Sequence, residues 1–265
     1  VSEPLASGFL CTTCHDALPE FTRYEVAEVG FPSGAKLDTG NPDSNLCLNC
    51  HQGRESTVSV NRVIEGLPVD TVSEDVGFRN VHYFAAGATL FGTEAQGAYE
   101  YEGQTYAGRF AHVEGFDNCI QCHDGHGLEV KFEACGTCHA GAEGVEDIRM
   151  DGTDFDGDGD TEEGIAGEVD TLREALYAAM QSYATDVVGT GIVYDAHAYP
   201  YFFTEDEERY GTWTPRLLQA AYNYQYAAKD PGAFAHNGMY IIQVLYDSLA
   251  DVGGDTTGMT RPASE

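Results

Sequence analysis

Apolar residues follow two different rules along this chain. From Thr171 onward they recur at helical spacing. Leu172, Leu176, Ala179, Met180 and Tyr183 fall on one face, Leu218 and Tyr222 continue it after Pro215, and Ile241, Ile242, Leu245, Tyr246 and Leu249 make a third stripe. Such stripes are the buried sides of helices. Before residue 140 the spacing is irregular and glycine-rich. One segment there alternates, AYEYEGQTYAG, so that Tyr99 and Tyr101 share a face and Gly103 permits a turn. The pattern predicts a mostly irregular module over residues 1–145, with few short helices and a small hairpin. An acidic junction over 146–168 and an α-helical part over 169–265, packed on the module, are expected to follow.

An irregular module needs something besides secondary structure to organise it, and the cysteines point to what that is. CTTCH (Cys11, Cys14, His15), CLNCH (Cys47, Cys50, His51), CIQCH (Cys119, Cys122, His123) and CGTCH (Cys135, Cys138, His139) use all eight cysteines. Disulfide frameworks seldom place a histidine after every pair. Zinc or iron–sulfur ligation would use the CxxC pairs and leave that histidine unexplained. CxxCH is the attachment sequence of c-type haem: two thiols form thioethers to the porphyrin, and the next side chain sits under the iron as proximal ligand. Four motifs predict four covalently bound haems c, and a fold set by haems more than by secondary structure.

Each iron then needs a sixth ligand. Beyond the proximal histidines the chain holds His82, His112, His126, His197 and His236, while its methionines sit in mixed surroundings where they more often fill cores. His126 lies just after His123, and His112 just before the third motif. Neither swings easily to the far face of that haem, so each is expected at a neighbouring iron. His82, in VHYFAAGATLFG, and His236, in DPGAFAHNGMY, have Ala and Gly neighbours that leave room for a macrocycle, whereas His197 is flanked by the bulkier DAHAYPYFF. The expected distal ligands are therefore His82, His112, His126 and His236, with His197 to spare. With enough histidines to close every iron, electron transfer is favoured over a reductase with one open haem. No other catalytic constellation stands out.

Charge narrows the partners. Thirteen basic against 44 acidic side chains give a formal charge of −31, which disfavours nucleic acid and anionic membrane surfaces and suits cations. Apolar runs such as IIQVLY, from Ile241, fall far short of the roughly 20 residues of a membrane span. VSEPLASG is not a signal peptide, so an exported chain is expected to be numbered from after its leader. Acidity is densest in DGTDFDGDGDTEEG, Asp151 to Gly164. Asp154, Asp156 and Asp158 alternate ahead of Gly159 as in the DxDxDG opening of a calcium loop. Ile165 stands where that loop has its bidentate Glu, so Asp160, Glu163 or Glu168 would have to complete the shell. Asp154, Asp156, Asp158, Asp160 and Glu163 are the candidate calcium ligands, and a solvated linker is the alternative.

The CxxCH motifs at this spacing, with VHYFAAGATLFG, DFDGDGDTEEGIAGE, DAHAYPYFF and NYQYAAKDPGAFAHN, resemble the multihaem c-type cytochromes of metal-reducing microbes. With four motifs the chain is most similar to the tetrahaem cytochromes that polymerise into extracellular nanowires. The resemblance implies bis-histidine haems stacked in a continuous chain and a homopolymeric filament at the cell surface. A monomeric soluble shuttle, in a periplasmic setting, is the alternative. It also implies electron exchange with partner cytochromes and extracellular acceptors, and one histidine that crosses to a haem of the next subunit. His236 and His197 are the first candidates for that crossing. Paired histidines and abundant carboxylates both favour ferric iron, so low potentials are expected.

Overall fold

The computed structural model describes residues 8–82 and 84–264. A single helical turn, α1 (Cys11–Cys14), leads into β1 (His15–Ala17), which pairs antiparallel with β2 (Thr22–Arg23). A second small hairpin joins β3 (Val29–Gly30) to β4 (Lys36–Leu37). Next comes α2 (Pro42–His51). Its start is fixed by local chemistry: the Asn41 side chain accepts from Ser44 N at 3.0 Å, Pro42 occupies the first turn, and Asp43 adds negative charge at the positive end of the helix. α3 (Thr57–Ile64) is capped by Ser56. α4 (Ala86–Phe91), α5 (Cys119–Cys122) and α6 (Phe132–Cys135) are short, as expected of the module.

The last third is helical. α7 (Ile165–Tyr183) is followed by a hairpin of β5 (Val193–Tyr194) and β6 (Phe202–Phe203), then α8 (Pro215–Ala228) and α9 (Ala233–Asp251). Thr214 caps α8 by accepting from Leu217 N at 3.1 Å, with Pro215 in its first turn. The stripes predicted from spacing are the buried faces: Leu172, Leu176, Met180, Tyr183, Leu218, Tyr222, Ile241, Ile242, Leu245 and Leu249 are all buried, and Ala179 and Tyr246 are half-buried. Burying each Leu or Ile contributes about 1.5–3 kcal/mol. α9 lies at the centre, packed against α7, α8 and α4. Among the described residues no helix is long and apolar enough to cross a membrane.

Among the small residues after His82, Gly87 lets α4 approach α2: a Cβ there would lie 2.3 Å from Leu48 Cδ2. Tyr222 and Tyr226 of α8 are buried in the core, where Tyr222 Oη donates to Gly97 O at 2.6 Å and Thr89 Oγ1 donates to Tyr226 Oη at 3.2 Å. AYEYEGQTYAG does turn at Gly103, with φ +83°, and the Tyr99 and Tyr101 rings meet at 5.0 Å. It forms no strand ladder, because Asn223 of α8 takes the backbone groups a partner strand would use. Tyr99 N donates to Asn223 Oδ1 at 2.6 Å, and Asn223 Nδ2 donates to Tyr99 O at 2.9 Å.

Candidate haem sites

Each CxxCH motif is built on a helical turn or helix end. The turn stacks two cysteines three residues apart and is closed by the histidine, whose backbone N–H donates to the first cysteine carbonyl. His123 N reaches Cys119 O at 2.8 Å and His139 N reaches Cys135 O at 2.9 Å, and His15 caps α1 on Cys11 O in the same way. The second motif ends α2, which Asn45 fastens to the preceding loop. Asn45 Nδ2 donates to Val26 O at 2.9 Å and to Asp38 Oδ1 at 2.7 Å, and its Oδ1 accepts from Thr39 N at 2.9 Å. All eight cysteines are exposed or half-buried, and no disulfide joins them. Large apolar side chains are exposed at Phe9, Leu10, Phe21, Phe84, Val113 and Leu128, each within a few residues of a CxxCH motif or another histidine.

The imidazoles come together in pairs. His15 and His126 lie with ring centroids 6.4 Å apart and planes 12° from parallel. His112 and His139 are 6.2 Å apart, and His123 and His236 are 6.3 Å apart. A metal–imidazole bond of about 2.0–2.1 Å, with roughly 1.1 Å from nitrogen to ring centre, separates two rings across one metal by about 6.3 Å. The residues present therefore fit an iron held between two histidines. Each pair joins one CxxCH histidine to one of the remaining five. His126 pairs with the histidine of the first motif and His112 with that of the fourth. Among the described residues no second imidazole stands opposite His51 at this spacing, which leaves His82 and His197 as the candidates for that position.

Hydrogen bonds orient these rings. Nδ1 of His15 donates to Phe21 O at 2.7 Å and Nδ1 of His51 donates to Phe84 O at 2.9 Å. A carbonyl can only accept, so the proton sits on Nδ1 and Nε2 keeps its lone pair for a metal. His236 donates instead to a carboxylate, with Nδ1 2.9 Å from Asp230 Oδ1. Burial acts to raise the Asp230 carboxyl, but His236 outweighs it and holds the group below its ordinary value, so it is ionised. Burial likewise disfavours charge on His236, and Asp230 overrides this and raises it. Burial, then the charges of His236 and His51, push His123 below the ordinary histidine value.

The kink in α9 delivers His236. Asn237 has φ −168° and ψ 77°, its Oδ1 accepts from Tyr240 N at 3.2 Å to restart the helix, and its Nδ2 donates to Gly108 O at 2.9 Å. The second and third motifs adjoin, because α5 packs on α2 and Cys119 N donates to Ser44 Oγ at 3.1 Å. Sequence reasoning missed Asp230 and the Phe21 and Phe84 carbonyls. The only available signal was an acid in the turn that opens a histidine-bearing helix.

In the acidic junction, ligand atoms of Asp154, Asp156 and Asp158 lie within 4.8 Å of one another, as do those of Asp156, Glu163 and Glu168. Asp160 stands outside both groups and accepts instead from Glu162 N at 2.8 Å.

No family model and no solved structure matches the chain. It is similar to the C-type polyheme cytochrome OmcB of Geobacter sulfurreducens, 26% identical over 269 aligned residues that cover 82% of this chain and 32% of OmcB. It is similar also to the C-type polyheme cytochrome OmcC of the same organism, 26% identical over 82% of this chain and 31% of OmcC. The chain spans about a third of the length of these relatives. The relatives are C-type polyheme cytochromes by name, which agrees with the attachment of haem c at the CxxCH turns.

Proposed function

We propose that the chain carries electrons along a continuous row of four haems c, each iron held between two histidines. One observation carries this reading: a single imidazole separation, 6.2–6.4 Å, recurs in three pairs that each contain one CxxCH histidine. Haem c, when bound, supplies the one-electron ferric/ferrous couple. The residues of the chain do the rest. Histidines on both faces leave no position for a substrate, so coordination does not change as charge passes, and little has to reorganise. The packing of α5 on α2 supports a short step between the second and third groups of that row.

Copies are further proposed to join into an extracellular filament that exchanges electrons with partner cytochromes and external acceptors. His236 faces His123 in its own chain. His197, exposed between β5 and β6, is therefore the better candidate to cross to a neighbour. Intact mass of the mature chain tests the first proposal: four covalently added haems are expected, and fewer would sink it. Electron micrographs at physiological salt test the second. Fibres are expected, whereas monomers at every salt concentration, with all irons low-spin, would establish a soluble shuttle.

A further inference from the structure

The acidic junction is folded around a place for a cation. Asp154 Oδ1 accepts from Gly157 N at 2.6 Å and its Oδ2 from Gly159 N at 3.0 Å, and Gly159 takes the left-handed φ of +92° that the turn requires. That is only the shape of a loop. The evidence for a ligand lies inside it. Asp156 is 3% exposed; its Oδ1 accepts from Asp158 N at 3.1 Å, while its Oδ2 has no partner. Oε1 of Glu163 is buried without a hydrogen bond as well. Glu168 is fully buried; its Oε2 accepts from Phe155 N and Asp156 N, both at 2.9 Å, and its Oε1 lies 2.6 Å from Arg149 Nη1.

One guanidinium therefore stands against three inward carboxylates, with Asp154 and Asp158 at their edge. Arg149 also donates to the carbonyls of Asp151, Thr153 and Glu163, so four of its five hydrogens are committed. Glu163 is turned inward by a particular neighbour: a Cβ on residue 167 would lie 1.7 Å from Glu163 Oε2, and the residue there is glycine.

We propose that Asp154, Asp156, Asp158, Glu163 and Glu168 bind one calcium ion, with Glu163 and Glu168 replacing the glutamate that the loop lacks at its twelfth position. Calcium takes 6–8 oxygen ligands at about 2.3–2.6 Å, so ligand oxygens on opposite sides of it are at most about 5 Å apart, and both carboxylate groups meet that limit at 4.8 Å. The all-oxygen, multiply charged shell excludes the softer ions that prefer nitrogen or sulfur. The ion sits where three segments meet. Ile165 N donates to Ile148 O at 3.2 Å, the Glu146 carbonyl packs against Gly164, and Thr260 N donates to Phe155 O at 2.9 Å. Calcium thus fastens the chain that follows the fourth CxxCH motif to the start of α7 and to the C-terminal tail.

The test is calorimetric titration of the haem-loaded protein with calcium chloride alone, after chelation and at physiological salt, since an acidic surface binds cations diffusely. One saturable site per chain is expected. Asp156→Asn should weaken it at least tenfold. Gly167→Ala should also weaken it by pushing Glu163 outward, while the calcium-free protein keeps its thermal stability because alanine favours helix. Asp206→Asn, an exposed acid elsewhere, should leave binding as it was. Loss of affinity in either junction variant but not in the Asp206 variant supports the site. Absence of saturable binding, or affinity unchanged in both junction variants, overturns it.

Discussion

Asp230 and His236 form a carboxylate–imidazole pair, 2.9 Å from Oδ1 and 3.0 Å from Oδ2 to Nδ1, with the carboxylate 1% exposed. The His236 and His123 ring centroids lie 6.3 Å apart. A buried anion on Nδ1 makes the ring a stronger donor through Nε2 and so stabilises ferric iron. Histidines 15 and 51 donate only to backbone carbonyls, which withdraw less proton density.

Asp230→Asn should therefore raise the midpoint potential of one haem of the four, the one attached at Cys119 and Cys122, while the protein stays low-spin. A spectroelectrochemical titration resolves this. Four unchanged potentials would show that the pair only positions the ring.

The three imidazole pairs make a spectroscopic prediction. His126→Ala or His112→Ala should free one axial position each, so that about a quarter of the haem turns high-spin and binds carbon monoxide. His236→Ala should do the same at a different haem. Carbon monoxide difference spectra that match the parent in all three variants would contradict the pairing.

Much of this was legible in the sequence and some was not, for physical reasons. A CxxCH unit is complete within five residues, so the attachment chemistry is written locally. The helical stripes of α7, α8 and α9 are local too, and Leu172, Leu176 and Leu245 are buried as their spacing predicts. The partner of a distal histidine is not local. His15 meets His126 and His123 meets His236 across long stretches of chain, and these pairs follow from tertiary packing, including the break of α9 at Asn237. The alternation around Tyr99 misled for a similar reason, because a distant side chain, Asn223, outcompetes a neighbouring strand.

Asn223 also yields a stability prediction. It is fully buried and holds Tyr99 N, Tyr99 O and, at 2.9 Å, Ser248 Oγ. Asn223→Ala should strand these groups and cost about 3 kcal/mol, with haem content unchanged. Urea unfolding of the haem-loaded protein measures it, and a loss below about 0.5 kcal/mol would mean that water replaces the amide.

Assembly should depend on salt. A formal charge of −31 per chain repels copies at low ionic strength, where the Debye length is about 30 Å at 0.01 M against about 8 Å at 0.15 M. Fibres should weaken on dilution of salt, and His197→Ala should give subunits that do not polymerise. Fibres that persist unchanged in the His197 variant would remove that residue from the junction.

The central claim is that every iron lies between two histidines. Near-infrared magnetic circular dichroism of the fully oxidised protein tests it most directly, because the charge-transfer band of low-spin ferric haem reports the axial pair, and its intensity per chain counts the sites. Four bis-histidine haems per chain are predicted for the assembled protein. A histidine–methionine band, or a high-spin fraction of one haem per chain or more, would contradict it.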